Sequence, residues 1–326
     1  TIPLTRALEL DREVDDMSEI VDLWETPVEK TNYMIAGWRQ WADAGEISSG
    51  LPDYLVDLTD ARKIGEIAYD SFYLFQIPGA HHLLRPQVKL VDGYREDMIG
   101  NRNEIFYADL GDKGLVIFLG DEPHRQEDEY ANAFFEMAEA LQVKRIVIVG
   151  GVYGSTPYDK DRDASCIYSL PDMKEELERY SLRFSNYEGG ATIGAYLAHC
   201  AERHGVELIV LYAFAPAYEF SQLGIALQGM RVETDWKAWY DLMVRIDYML
   251  QLGLDLSELE ERGKELIEEW DERIEELEKK HPELHVKEYL DNVAKDFVEH
   301  PFIPLDDAWD ELDNLDDLFA TEDDQD

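Results

Sequence analysis

Leu115-Val116-Ile117-Phe118-Leu119, Ile146-Val147-Ile148-Val149 and Leu208-Ile209-Val210-Leu211 are runs that no polar residue interrupts. A strand with one face in water alternates apolar and polar side chains. An unbroken run needs cover on both faces. Three such runs require a buried sheet with layers of other structure above and below it. With these runs inside them, strands are expected at 33–36, 63–68, 104–108, 115–119, 145–149, 166–168 and 208–214. Helical patterns separate them. In 127–141, Tyr130, Phe134, Met137, Ala138 and Leu141 recur on one helical face, and Glu127, Asp128 and Glu129 favour its N-terminus. In 190–204, Ile193, Leu197, Cys200 and Ala201 make the same stripe, and a further helix is expected over 44–58. Strands alternating with helices predict an α/β fold with a mostly parallel sheet between helical layers.

The pattern changes near residue 231. Residues 234–252 read as a helix with Trp236, Trp239, Tyr240, Met243 and Ile246 on one face. Residues 256–280 read as another, with Leu259, Leu266, Trp270, Ile274 and Leu277 as its apolar seam and Pro282 as its stop. A third is expected over 286–299. The chain divides on this reading into an acidic arm (1–28), an α/β core (29–230), a helical C-terminal region (231–318) and an acidic, disordered tail (319–326).

Charge limits the partners. The 326 residues carry 72 Asp and Glu against 30 Lys and Arg, a net charge of −42. Such a field repels phosphate backbones and anionic lipid, so neither nucleic acid nor membrane is expected as a partner. Hydrophobic residues still make up 45% of the chain, enough for a real core. No window approaches the length of an apolar membrane span. The start, Thr1-Ile2-Pro3-Leu4, lacks the pattern of a secretory leader, and a cytoplasmic protein is expected. Cys166 and Cys200 fall in separate elements and read as reduced core thiols, not as a disulfide framework.

Glycine-rich strand ends are the candidates for a site. Gly150-Gly151-Val152-Tyr153-Gly154-Ser155-Thr156 leaves a buried strand at its carboxyl end, where open α/β sheets gather ligands. Tyr187-Glu188-Gly189-Gly190-Ala191-Thr192 opens a helix, whose free amides and dipole suit an anion. Asp43 and Gly45 follow the first strand. Each has a structural alternative: a tight turn, a close-packed helix entry, a helix cap. The candidate crevice is therefore Asp43, Gly45, Gly150, Gly151, Tyr153, Thr156, Tyr187, Gly189, Gly190 and Thr192. No nucleotide-binding fingerprint is met, no His/Cys set has zinc spacing, and Ser155 is not on a nucleophile elbow. No catalytic residue, metal or cofactor is expected.

The motifs resemble those of the proteasome assembly chaperone 2 family, in its longer bacterial branch. Gly37-Trp38-Arg39-Gln40-Trp41-Ala42-Asp43-Ala44-Gly45 looks like the family's glycine–tryptophan and Asp-Ala-Gly opening. Arg85-Pro86, Gly120-Asp121-Glu122-Pro123, Tyr187–Ile193 and Ile303-Pro304-Leu305-Asp306 are similar to later motifs in the family's order. Two histidine motifs of the family are changed, to Thr156-Pro157-Tyr158-Asp159-Lys160 and Pro216-Ala217-Tyr218, so chemistry resting on those imidazoles has no support here. The resemblance implies a three-layer α/β/α fold similar to the phosphorylase/hydrolase-like class, with a helical addition. It also implies self-association, a trimer included, and an unknown protein client. Some members carry a carboxylate–amine ligase label, for which this chain lacks a phosphate loop and clustered bases. Two readings stay open. One is a non-enzymatic protein-binding or assembly-chaperone-like module. The other is an enzyme or small-molecule binder that takes a nucleoside, phosphate or carboxylate at the strand ends.

Overall fold

A computed structural model describes residues 20–39, 41–68, 71–75, 86–218, 230–295 and 297–303. The motif residues Gln40, Arg85 and 304–306, most of the arm and the acidic tail lie outside the described residues. Two compact units account for the chain. The first comprises residues 1–152, 166–174 and 184–212; the second comprises 153–165, 175–183 and 213–326.

Twelve strands are described: β1 (Val21–Leu23), β2 (Thr31–Arg39), β3 (Arg62–Ile67), β4 (Gln87–Val91), β5 (Tyr94–Ile99), β6 (Asn103–Asp109), β7 (Lys113–Asp121), β8 (Val143–Gly154), β9 (Ala164–Tyr168), β10 (Arg183–Phe184), β11 (Glu207–Tyr218) and β12 (Met230–Arg231). The helices are α1 (Gly50–Leu58), α2 (Glu127–Ala140), α3 (Lys174–Leu177), α4 (Ile193–His204), α5 (Trp236–Leu250), α6 (Ser257–Lys280) and α7 (Val286–Lys295). The large sheet runs in the order β1-β3-β6-β7-β2-β8-β11-β9-β10. At its centre β2 is parallel to both β7 and β8, as the unbroken runs predict. On the β1 side the β1-β3, β3-β6 and β6-β7 pairs are antiparallel, so the sheet is mixed. β4 and β5 form a separate hairpin.

In the first unit, alternate residues of the central strands serve two layers. Met34, Ala36, Trp38, Val116, Phe118, Ile146, Ile148 and Val210 are buried in one cluster with the α2 stripe and with Leu197, Cys200 and Ala201 of α4. All five predicted α2 stripe residues are buried. The intervening residues Ile35, Ile117, Leu119 and Val147 are buried too, and α1 packs on β2 and β7. This is helix–sheet–helix layering. The expected helix over 44–58 is interrupted: Gly45 (φ 66°) and Glu46 (φ 51°) are left-handed, leaving a short 3-10 turn before α1. The helix expected from 190 begins at Ile193, and that expected over 286–299 ends at Lys295. Both thiols are free and buried, and desolvation pushes that of Cys166 up to about 12.

The second unit carries α5, α6 and α7. The predicted α6 seam is buried at Leu259, Leu266, Trp270 and Ile274. Ion pairs four residues apart, such as Glu258–Arg262 and Glu276–Lys280, line its wet face. The aromatic stripe of α5 is spent in the core. Trp239, Met243 and Ile246 are buried, and Trp236 packs on Trp239 with the Arg262 guanidinium over its ring. Arg162 is 2% exposed and pairs with the fully buried Asp235 through Nε (2.9 Å) and Nη2 (3.2 Å). Its Nη1 donates to the carbonyls of Tyr158 and Lys160. Asp235 also caps α5 by accepting from the Ala238 amide.

Candidate functional site

The strand ends of the first unit meet a loop that folds back over them, residues 41–49. Ser48 fastens it on both sides. Its hydroxyl accepts from the Trp38 amide of β2 (2.9 Å) and donates to the Val149 carbonyl of β8 (2.8 Å). Asp43 organises the loop from within. Oδ1 accepts from the amides of Ser48 (3.0 Å) and Ser49 (2.8 Å), and Oδ2 accepts from the Ser49 hydroxyl (2.7 Å). These bonds stabilise the carboxylate, yet burial outweighs them and raises its pKa. Asp43 thus feeds the residues that enter α1.

The glycines make this close approach possible. A Cβ on Gly151 would lie 1.9 Å from the Ala44 carbonyl oxygen, and one on Gly37 1.8 Å from that of Ser48. The Gly151 amide donates to the Ala42 carbonyl (2.8 Å), and Asp43 bridges to Gly151. Strand β8 runs on through Gly150 and Gly151 instead of turning there. Gly150 faces the Tyr212 ring.

A cavity of about 20 Å³ remains beside this loop, lined among others by Trp38, Trp41, Glu122, Gly150, Thr192 and Tyr212. Glu122 follows β7 and reaches the start of α4, where Oε1 accepts from the Ile193 amide (2.9 Å). The Trp41 amide also donates to it. Burial is the larger influence and raises its pKa. Thr192 caps α4 by accepting from the Ala195 amide (3.1 Å), and its hydroxyl pairs with that of Tyr212. Beneath the cavity, Trp38 Nε1 donates to Tyr130 Oη (2.6 Å), which donates to Asn103 Oδ1 (2.9 Å). Asp121 takes Arg39 on both oxygens (2.6 and 2.7 Å), and the Arg102 amide donates to it.

Asp43, Gly45, Gly150, Gly151 and Thr192 are thus brought together around one loop and its strand ends. Tyr187, Gly189 and Gly190 lie in an exposed stretch ahead of α4; Tyr187 is 73% exposed. Tyr153 and Thr156 belong to the second unit. There Arg231 lies over the Tyr153 ring, and the Tyr218 hydroxyl donates to the Thr156 carbonyl. Sequence reasoning missed Glu122, Trp41 and Tyr212 as lining residues. Glu122 stands in the Gly120-Asp121-Glu122-Pro123 motif, which was the available signal. Among the described residues no group of three or more His, Cys, Asp or Glu side chains is placed to hold a metal ion. No described helix is long and apolar enough to cross a membrane.

A model of the PAC2 family matches residues 38–278, most of the chain. The chain belongs to the PAC2 family. Its fold is shared with solved structures of low identity. A PAC2 family protein from Streptomyces avermitilis is 23% identical at a TM-score of 0.63, covering 79% of this chain and 99% of its own. The Mycobacterium tuberculosis proteasome-assembly chaperone homologue is 20% identical at 0.62, covering 75% and 94%. Pyrococcus furiosus PbaB, an archaeal proteasome activator, is 20% identical at 0.53, covering 78% and 98%. Among curated proteins none matches. The resemblance read from the motifs of this PAC2 protein is therefore the family's own.

Proposed function

We propose that this PAC2 protein is a non-enzymatic, assembly-chaperone-like module that self-associates and binds a protein client in the cytoplasm. The observation that carries this reading is the filled strand-end site. A cavity of about 20 Å³ has room for roughly one water. Small-molecule sites usually enclose about 300–1,000 Å³. The Asp43 carboxylate and the Gly151 amide, both expected to greet a ligand, are engaged with the protein's own loop, and the Ile193 amide at the start of α4 is taken by Glu122. Family membership supports the same reading, as do the names of two solved neighbours, a proteasome-assembly chaperone homologue and a proteasome activator.

Light scattering on the purified chain, together with binding to immobilised proteasome core particles and to their free subunits, tests it. A mass of several chains and saturable binding are expected. A monomer at micromolar concentration that binds neither would sink the proposal. A second reading, a small-molecule site at the strand ends, keeps one observation in its favour: the half-buried Glu122 carboxyl with its raised pKa. A saturable rise in melting temperature with a nucleoside, phosphate or carboxylate, lost in Glu122→Gln, would favour it.

A further inference from the structure

The hairpin of β4 and β5 is the least covered part of the described chain. Every residue of β5 is exposed. Val88, Leu90, Val91, Tyr94, Met98 and Ile99 are between 47% and 75% exposed. Among the described residues, six of the fifteen exposed large hydrophobic side chains thus fall in thirteen residues. The hairpin pairs with no other strand there, and Val88 stands opposite Met98 and Val91 opposite Tyr94. A two-stranded ribbon open to water is marginal on its own. Neighbours in a strand point to opposite faces, so Leu90 and Val91, like Met98 and Ile99, leave exposed apolar side chains on both faces of the ribbon, and exposure of this kind marks a contact surface.

Charge identifies the occupant. Acidic residues outnumber basic ones 72 to 30 in the chain, so most approaches between two copies are repulsive. Residues 87–99 are nearly balanced, with Lys89 and Arg95 against Asp92, Glu96 and Asp97. Lys89 and Glu96 already pair at 2.6 Å within the hairpin. A patch with both signs around an apolar centre complements another like itself.

We propose that the β4–β5 hairpin is the self-association surface, packing against the same hairpin of a neighbouring copy. This rests on the self-association named in the proposed function. Charge complementation in the whole chain tests it. One variant, K89E/R95E, makes the hairpin wholly acidic; the other, E96K/D97K, makes it basic. Each alone is expected to raise the dissociation constant at least tenfold by sedimentation equilibrium, and an equimolar mixture to restore association. Unchanged circular dichroism and melting confirm that both fold.

Wild-type association in both single preparations would overturn the hairpin while leaving self-association intact. Tighter association of E96K/D97K alone would also overturn it, because the basic hairpin would then be seeking acidic surface elsewhere. Slow amide exchange at 88–98 in a monomeric wild type would mean that the chain covers its own hairpin. That result removes the self-association reading as well.

Discussion

Glu122 Oε1 accepts a 2.9 Å hydrogen bond from the amide of Ile193, the first residue of α4. A helix N-terminus attracts an anion through its free amides and its dipole. Here the chain supplies that anion itself, from the end of β7, seventy-one residues earlier. Burial nevertheless raises the pKa of the carboxyl above its ordinary 4.5.

The sign of the resulting pH dependence follows. With a raised folded-state pKa, the folded chain binds more protons than the unfolded one between the two values. Stability from this group is full below pH 4.5 and is lost as pH rises through the folded pKa. Glu122→Gln keeps an acceptor for the Ile193 amide and removes the titration. Its melting temperature relative to wild type is expected to climb as pH rises from 5 and then to level off. A constant difference from pH 5 to 7.5 would show that Glu122 titrates as it does in the unfolded chain.

Gly151→Ala places a methyl group 1.9 Å from the Ala44 carbonyl oxygen. Backbone must move, and the expected cost is about 3 kcal/mol in urea unfolding. Gly190→Ala is the control. A Cβ there meets nothing within 4 Å, and the change should stay within about 0.5 kcal/mol. Equal costs at the two positions would refute the packing role of Gly151.

Arg162→Met leaves Asp235 buried without its counter-ion. Loss of one partner of a buried pair costs about 3–5 kcal/mol. Adding Asp235→Asn removes the stranded charge and keeps an acceptor for the Ala238 amide. The double variant is expected to recover at least half of the loss. Additive losses would mean that the two side chains do not act as a pair.

The net charge of −42 makes the folded chain self-repelling. Screening should relieve this, so melting temperature is expected to rise between 20 mM and 1 M sodium chloride. A flat or falling dependence would contradict it.

How much was legible depended on whether the cause was local. The unbroken runs at 115–119, 146–149 and 208–211 needed cover on both faces, and they became parts of β7, β8 and β11. The stripes of α2 and α6 were equally direct, because helical period alone sorts their side chains. The hairpin was missed although Asp92-Gly93, with φ of 49° and 81°, is a strong turn signal. Its strands lie in water on both faces, so they show no alternation to read. Gly150-Gly151 looked like a ligand cradle. Gly151 serves the approach of the Ala44 carbonyl, a contact made across more than a hundred residues, and Gly150 that of the Tyr212 ring. Glu122 stood in a quoted motif, but its partner on α4 becomes apparent only once the strands are ordered.

The two buried thiols have a practical meaning. Cys166 and Cys200 are the chain's only cysteines, and neither reaches solvent. A thiol held near 12 holds almost no thiolate at neutral pH, so Cys166 resists alkylation. The native surface is thus chemically silent toward maleimides. A single cysteine introduced at Tyr94 would be the only readily labelled position, and a fluorophore there would report on its surroundings without background.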